Sequence, residues 1–339
     1  CLILSFSAQA QVFVIERGSN TSLVFNNIKS AVDALQDNDK LYLPPGSYSL
    51  KGYNWEGYAG TNNYSNLLMI NKKVSIYGGG CMNGANSTIL TDGTLVIGKD
   101  ANGSLITGIR FDSNFRLDNV SNCIVSRCTM NGTSYFYGAG NNNIITECEF
   151  YDIYSNDSGY LSSVGNGLSC IFSKCIFRNW YRLRGATVYN CIFKKSPDYS
   201  YYYYDNSTLR NNIYMVSTSV TNANITVYGT NNSYSNNLWV GGYPSTNASD
   251  NNSFNNEIIR EPYANVFVDY SSGDYHLQDI CSGKNAGNDG TDVGIYGTNV
   301  PFKENRLPLT PNFSLISISP ETDATGKLPV NIIVEAQDR

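Results

Sequence analysis

The chain has 339 residues, 15% of them charged, with 26 tyrosines, 30 glycines and a formal net charge of -5 at pH 7. That length carries an extended core, and the mix matches neither a disordered chain nor a helical bundle. The absence of any basic run argues against nucleic acid as a partner, and no segment approaches the ~20 apolar residues of a membrane helix.

Residues 1–10 are apolar and end in Ala8-Gln9-Ala10, the small-residue pattern of a secretory cleavage site. They predict the remnant of a cleaved signal and a secreted, periplasmic or cell-surface location. A lipoprotein anchored through Cys1 is the alternative, and the apolar run after Cys1 argues against it. Residues 26–36 follow, with Ile28, Ala31, Val32 and Leu35 on one face, and read as a short amphipathic helix. Leu41-Tyr42-Leu43-Pro44-Pro45-Gly46 is a strand and turn, and Met69, Val74, Ile76, Leu95 and Ile97 are inward candidates of irregular first coils.

From Ser104 onward one pattern recurs seven times, with buried residues at offsets 0, +2, +5 and +7. The segments are Ser104, Ile106, Ile109, Phe111; Cys123, Val125, Cys128, Met130; Asn143, Ile145, Cys148, Phe150; and Cys170, Phe172, Cys175, Phe177. Ala186, Val188, Cys191, Phe193; Ser207, Leu209, Asn212, Tyr214; and Asn232, Tyr234, Asn237, Trp239 complete the set. Spacing two is the strand period, and the spacing of three between the halves is a one-residue slip, which is a corner. The +5 column runs Ile109, Cys128, Cys148, Cys175, Cys191, Asn212, Asn237, with steps of 19, 20, 27, 16, 21 and 25 residues. Steps of that size are those of a solenoid whose turns absorb insertions. Rungs ~4.8 Å apart hold parallel thiols too far apart, and wrongly oriented, for disulfides. Without a Cys-x-x-Cys motif or a Cys/His cluster, no metal site is indicated either. The cysteines are read as free and buried, and Asn212 and Asn237 as amides linking rung to rung.

The repeat resembles the right-handed parallel β-helix of the pectate-lyase-like superfamily. The predicted fold is therefore all-β, spanning residues 11–299, with the 26–36 helix capping the open first coil against aggregation. Asp274-Tyr275-His276-Leu277 and the 289–297 segment resemble the closing segments of exported β-helix proteins from Bacteroidetes-type bacteria. In residues 300–339, Phe313, Leu315, Ile316 and Ile318 precede a turn, and Val330, Ile332 and Val334 alternate after it, predicting a β-hairpin-like tail packed on the coil. The outward +6 position reads Ile176, Ile192, Ile213, Leu238 on successive rungs. Such an apolar stripe needs a cover, either the tail or a second subunit in an oligomer.

The resemblance implies a site on the outer face of successive rungs, walled by turn insertions, and an extracellular polysaccharide as partner. The turn beyond Cys191 supplies Asp198, Tyr199, Tyr201, Tyr203 and Asp205 as sugar-binding candidates, since an aromatic ring packs on a pyranose and acids take its hydroxyls. Arg178, Arg182, Arg184 and Lys194 form the densest basic cluster, and Arg182, Arg184 and Lys194 are the catalytic candidates. In a polysaccharide lyase such a base abstracts the proton beside a uronate carboxylate, with Ca²⁺ or Arg neutralising the charge. The competing reading is a charge ladder, for which Arg127, Glu147 and Lys174 at the outward +4 position provide a precedent. The Gly-His-Gly and paired-Asp signatures of polygalacturonases, a calcium-binding Asp cluster and the Arg-x-Pro-x-x-Arg pattern of pectate lyases are all missing, and His276 reads as structural. The residues leave two functions open: a protein that binds extracellular polysaccharide, with its cleavage as a lyase or glycoside hydrolase undecided, or a non-catalytic structural or adhesive rod of roughly 50 Å, about eleven rungs long.

Overall fold

The computed structural model describes the chain outside residues 1–11, 19–20, 54–65, 83, 85–86, 138–139, 155–168, 179–180, 195–201, 217–221, 305, 307–311, 319–320, 323, 328–329 and 336–339. The described residues form a parallel β-helix with one α-helix. Ten strands, from Lys40–Tyr42 to Ser253–Asn255, stack in parallel as the first face. A second face starts one corner later, through Ile176–Phe177, Ile192–Phe193, Ile213–Met215 and Leu238–Val240. A third face, which the repeat did not predict, runs through Tyr181–Arg184, Tyr202–Asp205, Ala223–Tyr228 and Gly242–Ser245. Its inward residues Leu183, Tyr204 and Val227 are fully buried. They escaped the pattern because insertions vary their distance from the regular positions.

The corner between the first two faces explains the one-residue slip. At the +4 position Gly108, Arg127, Glu147, Lys174, Asn190, Asn211, Asn236 and Asn256 all adopt left-handed backbone, with φ between 52° and 71°. A second such column, Gly103, Asn122, Asn142, Gly185, Asn206, Asn231 and Asn251, precedes the first face, with φ between 49° and 77°. Glycine and asparagine tolerate this conformation best, which accounts for the recurrence of Asn and Gly at these two corners. Arg127, Glu147 and Lys174 are the unfavourable exceptions, and the first two form an ion pair at 2.6 Å that offsets part of the strain.

The +5 column is completely buried from Ile109 to Asn237, and the eight described cysteines are unpaired. Thiols and amides do different work there. Cys128, Cys148, Cys175 and Cys191 each donate Sγ–H to the carbonyl two residues earlier, at 3.2–3.3 Å. Asn212 instead clamps two rungs: its Oδ1 accepts from the Cys191 N–H and its Nδ2 donates to the Val188 carbonyl. Asn237 does the same for Asn212 and Leu209. Beside them the +7 column stacks face to face, with Phe177–Phe193 at 4.6 Å, Phe193–Tyr214 at 4.7 Å and Tyr214–Trp239 at 4.2 Å between centroids.

At the amino-terminal end, α1 spans Ile28–Ala34, its Asn27 cap accepting from the Ser30 N–H at 2.8 Å. Ile28, Ala31, Val32 and Leu35 are buried in the main core, as the helical spacing predicts. An unpredicted antiparallel hairpin, Phe13–Arg17 and Thr21–Phe25, completes the cap by pairing with the first rung. Arg17 locks it by bonding both Asp39, which is buried, and the Ala34 carbonyl at the helix end.

At the other end an eighth rung, Asn252, Phe254, Glu257, closes the column with a carboxylate. Glu257 Oε1 accepts from the Asn237 N–H and Nδ2, and Oε2 accepts from the Trp239 indole at 2.6 Å. Burial pushes its pKa up to about 7, against the lowering effect of those donors. Between the unfolded value near 4.5 and about 7 the folded state binds the extra proton, so stability is full at the acid side of that window and falls as pH rises through it. The protein should therefore be more stable at pH 5.5 than at pH 8, by about 2 kcal/mol from this group. Glu257→Gln should flatten the slope in denaturant titrations across that range, and an unchanged slope would contradict the assignment.

The apolar stripe is buried within the single chain, and among the described residues its cover is the closing segment together with Phe302 at the start of the tail. Ile176, Ile192, Ile213 and Leu238 pack in a second core against Val266, Phe267, Leu277, Val293, Ile295 and Phe302 of the same chain. The stripe consequently offers no free surface for an oligomer. The closing segment runs back along the +4 corner: Asn236 Nδ2 bonds the Ala286 carbonyl, Asn211 bonds Asn288, Asn190 bonds the Gly294 carbonyl, and Lys174 bonds the Val300 carbonyl. Arg127 and Glu147 pair as the ladder predicts, and Lys174, which also feels the Glu147 charge, bonds the strap. Gly294 is required at its position, because φ is +84° and a Cβ would meet Ile213 Cδ1 at 2.5 Å. The tail forms the two expected strands, Asn312–Ile318 paired antiparallel with Val330–Glu335. Its side chains, and with them the expected packing on the coil, lie outside the described residues. So does the 1–10 segment.

Candidate functional site

The outer +6 column of the second face changes character midway. Arg110, Thr129 and Glu149 give way to Ile176, Ile192, Ile213 and Leu238. Where they meet, a cleft opens between the coil and the closing segment, in two adjoining lobes of about 430 and 450 Å³ that share Arg178, Ser272, Gly273 and Tyr275. The coil supplies the floor through Glu149, Arg178 and Lys194. The turn joining Phe267–Asp269 to Asp274–Leu277 forms one wall, and Tyr296, Phe302, Glu304 and Arg306 form the other. Arg178 and Lys194 occupy the same offset on successive rungs, and their N–H groups bond the Phe150 and Phe177 carbonyls one rung below. The sheet ladder itself thus sets their spacing.

Glu149 is almost completely buried and lies between two guanidiniums. Arg306 Nη2 donates to Oε2 at 2.8 Å while its Nη1 reaches Thr129 Oγ1 at 3.1 Å, and Arg178 Nε donates to Oε1. Burial raises the Glu149 pKa, but Arg306, Arg178 and Lys194 outweigh it and hold the carboxyl below its ordinary range. Arg306 Nε is buried without a partner among the described residues.

Lys194 stands differently. It makes no ion pair among the described residues, and its Nζ lies over aromatic faces, 4.7 Å from the Tyr275 centroid and 5.5 Å from that of Tyr270. Burial lowers its pKa; Glu149 raises it, and Arg178 and Arg306 lower it further, leaving it below the usual lysine value. A partly desolvated lysine of this kind is suited to accept a proton or to meet an anion. Burial also raises the hydroxyl pKa values of Tyr270 and Tyr275, keeping the wall neutral. Among the described residues no three His, Cys, Asp or Glu side chains converge as a metal group.

Of the residues named from sequence, the structure brings Lys194 into this cleft beside Arg178. Arg184, Tyr203 and Asp205 stand on third-face strands and do not line it; Arg184 is the register neighbour of Asp205, whose Oδ1 accepts from the Thr230 N–H. Tyr203 is half-buried and pairs in register with Arg182, whose side chain lies outside the described residues. Asp198, Tyr199 and Tyr201 lie outside them altogether. Sequence reasoning missed Glu149, Arg306, Tyr270 and Tyr275. The change from Glu149 to Ile176 at one outward position was the available signal for the first, whereas the others sit 90 or more residues from Arg178 or Glu149 and only the returning strap brings them near.

His276, the only histidine, is at the outer rim, stacked on Tyr296 at 3.7 Å and bonded to Asp274 at 2.8 Å. No helix among the described residues is long and apolar enough to cross a membrane. No protein-family profile matches this chain, and no curated protein sequence is significantly similar to it.

Proposed function

We propose that this is an exported β-helix protein of the pectate-lyase-like kind, which binds an acidic extracellular polysaccharide in the cleft beside Lys194. The observation that carries the reading is Lys194 itself, a partly buried cation without an ion-pair partner among the described residues, next to Arg178 and an aromatic wall. A uronate carboxylate over Arg178 and Lys194 makes charge-assisted hydrogen bonds, and the tyrosine wall packs on the sugar ring. In a cleaving enzyme neutral Lys194 takes the proton beside that carboxylate. The freed electron pair forms the carbon–carbon double bond as the adjacent glycosidic C–O bond breaks, and the leaving oxygen takes its proton from solvent water.

A non-catalytic rod is the second reading, favoured by one observation: Arg178 and Arg306 are both bonded to Glu149 and so fasten the strap to the coil. Screening acidic and neutral oligosaccharides for binding, then assaying the binders for ultraviolet absorbance of unsaturated uronates with and without chelator, separates the two. Lys194→Ala should weaken acidic-glycan binding at least about ten-fold without lowering the unfolding midpoint. Undiminished binding in that variant, or no acidic-glycan binding by the wild type, would favour the rod.

A further inference from the structure

The two lobes of the cleft carry opposite charge, which bears on what a bound chain looks like. Among the described residues the lobe at Lys194 is lined by Arg178, Lys194, Tyr270, Tyr275 and the turn residues, none of them a carboxylate. Its neighbour is lined by Glu149, Asp274 and Glu304 against Arg178 and Arg306. Glu149 is consumed by the two guanidiniums, so the carboxylates that face outward there are Asp274 and Glu304, 39% and 64% exposed. They flank His276 at 2.8 and 3.7 Å, and Glu304 also accepts from the Tyr296 hydroxyl.

Building on the glycan reading above, we infer that the cleft selects chains in which an anionic residue neighbours an uncharged one. The anionic group, a carboxylate or a sulfate ester, occupies the Arg178 and Lys194 lobe, and the hydroxyls of the uncharged residue donate to Asp274 and Glu304. A polymer charged on every residue places its second anion against those carboxylates, and like-charge contact of this sort disfavours a partner as effectively as lost contacts do. The two lobes share Arg178, so neighbouring residues of one chain must meet both.

The test compares three octasaccharides by calorimetry at one ionic strength: polygalacturonate, hyaluronan with uronates on alternate residues, and an oligosaccharide sulfated on alternate residues. Hyaluronan or the alternately sulfated chain, whichever group the lobe takes, should bind at least about ten-fold more tightly than polygalacturonate. Glu304→Lys, at an exposed position, should narrow that ratio by strengthening the uniformly charged ligand. Equal or tighter binding of polygalacturonate to the wild type, with no effect of Glu304→Lys, overturns the inference and leaves acidic-glycan binding intact. Failure of all three to bind removes the glycan reading and this inference with it.

Discussion

Replacing Glu149 with alanine should destabilise the protein by about 3–5 kcal/mol in urea unfolding, because it strips the shared counter-ion from two guanidiniums at once. Arg306 has a side chain only 6% exposed, and after the change it keeps one neutral partner, Thr129. A buried, uncompensated cation is expelled, and with it goes the end of the strap whose Phe302 shares the second core with Ile176. The variant should therefore also bind hydrophobic dyes. The double variant Glu149→Ala, Arg306→Leu removes both members and should recover much of the loss, giving a large coupling in the mutant cycle. A single-variant cost below about 1 kcal/mol would show that the triad behaves as a solvated surface pair.

Cys148→Arg should yield no folded protein. Cys148 is completely buried between Cys128 and Cys175 in a column whose neighbours are thiols, aromatic rings and satisfied amides, and an unpaired charge there has nowhere to go. Cys148→Ser is the informative companion, since a hydroxyl can donate to the Thr146 carbonyl as the thiol does; it should fold at a cost of about 1–2 kcal/mol. Circular dichroism and soluble yield distinguish the two. The unfolded, unreduced wild type should titrate the eight described cysteines as free thiols. Oxidised cysteines at 128, 148, 175 or 191, or a folded Cys148→Arg protein, would remove the stacked-thiol account of the core.

How the candidate site became legible shows where local pattern stops informing. Lys194 and Arg178 were visible because they lie next to regular inward positions, and a ladder carries such neighbours onto one side of the coil at a fixed spacing. Their partners were not. Arg306 meets Glu149 across 157 positions, and Tyr275 meets Lys194 only because a strap hydrogen-bonded to four successive corners runs back down the coil. The tyrosine run at 201–204 illustrates the opposite limit: strand alternation puts half of it in the core, as wholly buried Tyr204 is, but Tyr203 on the other side does not line the cleft.

The sequence by itself determined the repeating unit, its inward columns, the free buried cysteines, the capping helix and the need to cover the apolar stripe. Each of these follows from period-two burial and a fixed slip between residues no more than a rung apart. Only the tertiary structure decided that there are three faces, that left-handed Asn, Gly and a few charged residues make the corners, and that residues 263–302 of the same chain cover the stripe. It also decided that the anion-suited cleft lies at the junction of polar and apolar halves of one outer column. The physical reason is range: strand alternation is written locally, whereas the strap's path depends on hydrogen bonds and apolar contacts between segments 50 to 177 residues apart, and such closures leave no periodic trace in the chain.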